Sequence, residues 1–473
     1  MGFENLADRH ISPFQPGPAA LTGLGRLSDI DGQLEFAWSE RSVRLLLNGT
    51  AIAEHPTPAA DDIYGWAEIT ATLLEDARRG SAVVAAEATE ELHRVIFEGV
   101  LKGRDKYSRY LTPEIARNSR ASRDGFGGIG ITINNNEEMT VVRRVHDDTP
   151  AARAGIREGD RITHVDAAPI GGKPLSAVVR LLRGPVGDPV DLTLRREAVK
   201  AALTRTLIRD HIVPQTVRTR TRNGIIELEL SSFNQGTARA VRKAIVRIAR
   251  QTRGGVKGIV LDLRDNPGGL LDQAVAVSDI FIDHGRIIST RGRHSESNQI
   301  FDATPGRLLA TTPMAVLING RSASAAEIVA VALRDSGRAA IVGSSSYGKG
   351  TVQTIVRLPN NGELIITWAR IYAPSGQTLH AQGIVPAICT NLSGKGGLPA
   401  LLAALKAGSG PALSKTTLRS HAHDTHYSAA GNSACPTNSM SDKREMDAAR
   451  LLLADPALHQ AAIAHPPRAI AER

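Results

Sequence analysis

In Gly258-Ile259-Val260-Leu261-Asp262-Leu263-Arg264-Asp265-Asn266-Pro267-Gly268-Gly269 a mostly apolar run, Gly258 to Leu263 with Asp262 as its one charged residue, ends in a glycine turn. The run reads as a buried strand, and the residues from Leu270 to Phe281 read as the helix after it. The same unit recurs downstream. Met314 to Ile318 is a second buried strand, followed by a helix from Ala325 to Leu333, and Ala339 to Val342 is a third. Upstream, Ile226, Leu228 and Leu230 alternate with Glu227 and Glu229 as a half-buried strand, and Val241, Ile245 and Ile248 mark one helix face. Strands alternating with helices predict an α/β layer of parallel strands. Val352 to Leu358, then Asn361-Gly362, then Leu364 to Ile371 predict a hairpin beside it.

Toward the N-terminus the pattern changes. Gly125-Phe126-Gly127-Gly128-Ile129-Gly130-Ile131-Thr132-Ile133 is glycine-rich and strand-like. Thr149-Pro150 opens a short helix that Gly155 closes, as a cap and a first-position proline should. A strand from Arg161, a helix from Pro174 and a strand from Val190 follow, giving a small β-rich domain. Ile63, Trp66, Ile69, Leu73, Leu74 and Ala77 share a helix face, and a second helix is expected over 83–101. Leu34, Phe36 and Trp38, then Val43, Leu45 and Leu47, allow a short strand pair. Beyond about residue 396 the chain is Ala-, Ser- and Leu-rich, with an unstructured-looking stretch over 409–438 and one short helix near 442–453.

Composition sets the bounds. Of 473 residues, 42% are hydrophobic and 22% charged, which excludes wholesale disorder. The net charge of +9 comes from scattered arginines, and aromatics are 4%, so nucleic acid is not an expected partner. No run approaches a membrane span. Two cysteines, Cys389 and Cys435, exclude a disulfide-dense scaffold and a four-cysteine zinc site, and leave one bridge open. The start, MGFENLADRHISPF, carries no recognisable secretory signal, so the compartment stays open.

Four segments carry chemistry. The turn Arg264-Asp265-Asn266-Pro267-Gly268-Gly269 can aim backbone N–H groups at an oxyanion; alone it is a strand-to-helix turn. Ser324, in Ser322-Ala323-Ser324-Ala325-Ala326-Glu327, opens a helix; alone it is an N-cap, but it can also be a nucleophile beside the Ala325 N–H. Gly343-Ser344-Ser345-Ser346-Tyr347-Gly348-Lys349-Gly350 nearly spells a phosphate loop. Gly350, however, replaces the hydroxyl residue, and a strand follows where that loop needs a helix. Lys349 is better read as a base, if burial keeps it neutral. The glycine-rich segment can bind a peptide carboxylate by strand addition. His421, His423, Asp424 and His426 form a metal-like cluster in low-complexity surroundings and read as coincidence, so neither metal nor cofactor is expected.

Together, in this order, the segments resemble the carboxyl-terminal processing serine peptidases, the tail-specific protease family, over roughly residues 70–387. Tyr107-Ser108-Arg109-Tyr110-Leu111, Asp148-Thr149-Pro150-Ala151 and Gly159-Asp160 add to the match. Two positions depart from the family pattern: Ala387 stands where an acidic residue is usual, and Ala326 where serine is common. The resemblance implies a Ser324–Lys349 dyad with Gln353 orienting the lysine. It also implies an oxyanion hole from Ala325 and Gly268 or Gly269, and a peptide site at Phe126, Gly127, Gly128, Ile129, Gly130 and Ile131. Its implied architecture is a ClpP/crotonase-like α/β peptidase core (201–395) with an inserted PDZ-like domain (123–200). A helical N-terminal region (61–122), an N-terminal extension (1–60) and a C-terminal tail (396–473) complete it. The implied partners are protein or peptide substrates with a free C-terminus, and the family allows a homo-oligomer and is mostly exported. The competing expectation is a catalytically inactive peptide-binding scaffold on the same fold.

Overall fold

The computed structural model describes residues 1–136, 139–197, 199–391, 397–407, 435–441 and 443–464. The chain forms two compact units. One comprises Met1–Arg117, Thr216–Phe233 and Thr237–Arg473; the other comprises Asn118–Gln215 with Asn234–Gly236.

The larger unit is built on a six-stranded sheet. Its order is Val217–Arg222, Ile225–Leu230, Gly258–Asp262, Met314–Ile318, Ala340–Gly343 and Ile388–Cys389. All pairings from Ile225 onward are parallel; the first is an antiparallel hairpin. The register sets Leu228, Leu261, Val316 and Ile341 side by side. These four join the core with residues of the helices Thr237–Gln251, Leu271–Asp279 and Ala325–Asp335. The alternate residues Val260, Ala315 and Ala340 belong to a second core. Leu405, Ala448, Ala449, Leu452, Leu458 and Ala462 complete it, from the helices Gly397–Lys406, Lys443–Ala454 and Pro456–Ile463.

That second layer corrects the picture of a tail with one short helix. Strands with no polar face need cover on both sides, and the C-terminal helices supply it. The candidate histidine cluster at 421–426 lies outside the described residues.

A second sheet in this unit holds the expected hairpin, Thr351–Arg357 with Glu363–Tyr372. Arg286–Arg291, Gln299–Asp302 and Arg109–Leu111 extend it. A further core packs the helices Gly2–Arg9, Pro16–Gly25, Ile63–Gly80 and Thr89–Leu101 with the antiparallel strands Leu34–Trp38, Ser42–Leu47 and Thr50–Pro56. The helix expected over 83–101 is broken into Ala82–Ala86 and Thr89–Leu101. Glu90 and Glu91 fall in the first turn of the second piece, where the helix dipole favours acidic side chains.

In the smaller unit the sheet order is Val199–Ile208, Pro189–Arg196, Arg161–Val165, Met139–Val145 and Ile131–Asn136. Ile129, Ile162, Val165, Leu192 and Leu194 pack against Val178 and Leu182 of the helix Leu175–Leu182. Thr149 caps the helix Pro150–Arg153. Among the described residues Ile131–Asn136 pairs only with Met139–Val145, so one of its edges is open.

Candidate active site

Three strand ends of the parallel sheet deliver the site. After Gly258–Asp262, the Asn266 side chain pins the turn: its Nδ2 donates to Leu230 O (2.7 Å) and its Oδ1 accepts from Gly268 N (2.9 Å). Asn266 O accepts from Ala323 N at 3.0 Å, which ties this turn to the next loop. Gly268 has φ +102°, and a Cβ there would lie 2.8 Å from Ala323 O, 2.9 Å from Ser324 Cβ and 3.0 Å from Ala325 N. Only glycine lets this turn lie so close to Ser324.

After Met314–Ile318 the chain turns sharply into the helix Ala325–Asp335. Ser324, at the turn, has φ +55° and ψ −115°. A non-glycine residue in that region is strained, and such strain persists only where neighbours enforce it. The enforcing neighbour is Glu327, which is wholly buried. Its Oε2 accepts from Ser324 N (2.8 Å) and from Lys349 N (2.9 Å). Its Oε1 accepts from Gly348 N (2.7 Å) and Ser346 Oγ (2.5 Å). Ser346 Oγ in turn accepts from Ile384 N, so its proton goes to the carboxylate. Burial pushes the Glu327 carboxyl pKa up against the pull of these four donors. One carboxylate thus fixes both the serine turn and the lysine loop.

Lys349 follows the strand Ala340–Gly343, and Tyr347 N donates to Ser322 O at 3.0 Å. Burial and the nearby Arg109 charge push the lysine pKa down to about 8, against Glu327 and Asp105. Its Nζ lies 4.9 Å from the Tyr107 ring centroid. Among the described residues no hydrogen bond joins Ser324 to Lys349, or Lys349 to Gln353. Gln353 Nε2 donates instead to Thr351 Oγ1 (3.0 Å) and Thr367 Oγ1 (3.4 Å). The Thr367 hydroxyl donates to Asp105 Oδ1 (2.8 Å), whose Oδ2 accepts from Ser108 Oγ.

Of the expected oxyanion donors, Gly268 N–H is engaged by Asn266, whereas Ala325 N–H stands at the helix start. The loop before Thr351–Arg357 leads into a strand, so it is no phosphate loop. In the smaller unit, Phe126–Gly128 pairs with Asp210–Ile212, Ile129 is buried, and Gly130 and Ile131 lead into the open-edged strand. Among the described residues no cluster could hold a metal ion, and no helix is long and apolar enough to cross a membrane. The sequence signals Glu327 only as a cap: a serine followed three residues later by glutamate at a helix start is the capping-box pattern.

Residues 224–390 match the profile of peptidase family S41, and residues 141–196 match that of a PDZ domain. The class is therefore a serine-type peptidase that carries a PDZ domain. The chain is 44% identical over 292 residues to a carboxy-terminal-processing protease of Bartonella bacilliformis, covering 61% of this chain and 67% of that one. It is 33% identical over 313 residues to the carboxy-terminal processing protease CtpA of Bacillus subtilis, covering 65% and 66%. A solved photosystem II D1 C-terminal processing protease aligns at 27% identity with a TM-score of 0.38, covering 66% of this chain and 88% of that one. The chain belongs to peptidase family S41, among the carboxy-terminal processing proteases, and spans about two-thirds of the length of these curated relatives.

Proposed function

We propose that this chain is an endopeptidase that cleaves protein substrates selected by their C-terminal ends, using a Ser324–Lys349 dyad. Neutral Lys349 takes the Ser324 hydroxyl proton as Oγ bonds to the scissile carbonyl carbon. The resulting oxyanion is held by the Ala325 N–H and by a glycine N–H of the Gly268-Gly269 turn. Use of Gly268 requires it to exchange its bond to Asn266. As the carbon–nitrogen bond breaks, Lys349 returns the proton to the leaving amine. Water then attacks the acyl carbon, giving its proton to Lys349, which passes it back to Ser324.

Gln353 enters as the group that orients the lysine. Its Nε2 is held by two threonine hydroxyls, which leaves Oε1 as the acceptor for an ammonium. The edge of Ile131–Asn136 would take a substrate C-terminus as an added strand, with backbone N–H groups of Phe126 to Ile131 on its carboxylate. The observation that carries the reading is the Glu327 bridge, which anchors a strained serine and a half-buried lysine to one carboxylate oxygen. An inactive scaffold has no use for either strain or a desolvated lysine.

A fluorophosphonate probe and a quenched peptide with a free apolar C-terminus test it. Wild type should be labelled at Ser324 and turn over the peptide. Ser324→Ala should do neither, and Lys349→Ala should lose turnover while retaining its fold. Near-wild-type turnover by either purified variant would refute the dyad.

A further inference from the structure

The last two helices of the second layer follow a seven-residue strap, 435–441, which carries none of the proposed catalytic groups. It nevertheless bonds to all three loops that do. On the oxyanion turn, Ser441 Oγ donates to Asp265 Oδ2 at 2.6 Å. That carboxylate also accepts from Asn319 Nδ2 (2.7 Å) and Arg321 Nε (2.8 Å), and Asp265 itself has φ +60°. On the serine loop, Gly320 N donates to Asn438 O at 2.7 Å, and Asn319 Nδ2 reaches Ser441 Oγ at 3.4 Å. On the lysine loop, Asn438 N donates to Ser344 Oγ (3.1 Å), and Ser345 Oγ donates to Cys435 O (2.6 Å).

At its start the strap is also fastened covalently. Cys435 forms a disulfide with Cys389, on the last strand of the parallel sheet, 46 positions away in sequence. Both cysteines are buried. At its other end the strap runs toward Lys443–Ala454, where Glu445 meets Arg264 of the oxyanion turn at 2.6 Å.

We propose that Ser441 and the Asn438 backbone are positioning groups for the proposed dyad and oxyanion turn, and that the Cys389–Cys435 disulfide holds them in place, so that turnover depends on the thiol state of the protein. The inference rests on the Ser324–Lys349 reading. The physical reason is geometric: the three loops come from separate strand ends, and displacements of about 1 Å at reacting groups can cost on the order of 10²-fold in rate. Bonds between the loops, Glu327 and the strap all help to hold their spacing. Reduction is balanced by a dithiol such as dithiothreitol. It gives two electrons and two protons to the Sγ–Sγ bond, leaves two cysteine thiols and departs as its own cyclic disulfide.

The test uses the full chain and the quenched peptide. Protein is incubated with dithiothreitol until two thiols titrate, then assayed below its melting temperature beside oxidised protein and Cys389→Ala/Cys435→Ala. Reduction should lower kcat about 10- to 100-fold with KM unchanged and should slow fluorophosphonate labelling in step. The double variant should start at the reduced rate and ignore the thiol. Ser441→Ala, with the disulfide intact, should lose roughly 3- to 10-fold in kcat alone. Fully reduced protein that keeps its kcat overturns the proposal, as does a loss that arrives only with loss of the cooperative melting transition. Failure of the underlying dyad reading shows separately, as turnover by Ser324→Ala.

Discussion

At the scale of single residues, the proposed mechanism turns on two ionisable groups, the half-buried Lys349 and the wholly buried Glu327. In the proposed mechanism Lys349 must be neutral to accept the serine proton, and burial brings its pKa down to about 8. Below that pH the ammonium form dominates and the base is lost; above it the base is free. Peptide turnover should therefore rise through about pH 8 to a plateau, with about a tenth of the maximum left at pH 7. A kcat/KM profile flat from pH 6 to 10 would remove lysine as the titrating base. Glu327 acts one step back. Glutamine in its place keeps the shape but turns an N–H₂ toward backbone N–H groups that now donate to oxygen. Each donor left unpaired costs about 1–3 kcal/mol, so Glu327→Gln should lower the melting temperature and cut kcat more than KM. Intact kcat in a folded Glu327→Gln protein would show that the bridge is packing alone. Glu327 was legible as a cap, but its reach to Ser346, Gly348 and Lys349 was not, because that requires knowing that separate strand ends meet.

At the scale of elements, legibility followed how far each strand carries its own signal. Gly258–Leu261 and Met314–Ile318 are apolar throughout and stand out unaided. Val217–Arg222 reads Val-Arg-Thr-Arg-Thr-Arg, and its strand state comes from pairing with Ile225–Leu230. The available signal was Asn223-Gly224, both at positive φ, the two-residue hairpin turn. Thr50–Pro56 follows the same kind of turn at Asn48-Gly49. The open edge of Ile131–Asn136 is the element with the clearest functional consequence. Strand addition with carboxylate capture predicts that a peptide with a free apolar C-terminus binds more tightly than its amidated twin. Fluorescence titration of the pair decides it, and equal affinities would take the carboxylate out of the recognition. Ser324→Ala should show the same preference, since the proposed peptide site and the dyad are separate groups.

At the scale of the whole molecule, the governing fact is that the central strands have no polar face. The helices following each strand bury one side, which the strand–helix alternation announced. The other side is buried by three helices whose sequence is Ala-rich and weakly patterned, two of which are reached only after residues 408–434. Nothing local in that sequence says that it belongs to the core; only the demand of the uncovered sheet face does. The register of Lys443–Ala454 makes this testable with neighbouring residues. Leu452 is wholly buried against the sheet, whereas Leu451, one position before it, is 50% exposed. Leu452→Ala should remove about 2–5 kcal/mol, as a buried leucine truncation does, and Leu451→Ala should change stability by less than about 0.5 kcal/mol. Urea unfolding followed by circular dichroism should show the midpoint falling for the first variant alone, with the m-value held. Equal midpoints for the two would mean that the C-terminal helices do not close the sheet. The strap over the active-site loops would then lose the anchor at its far end.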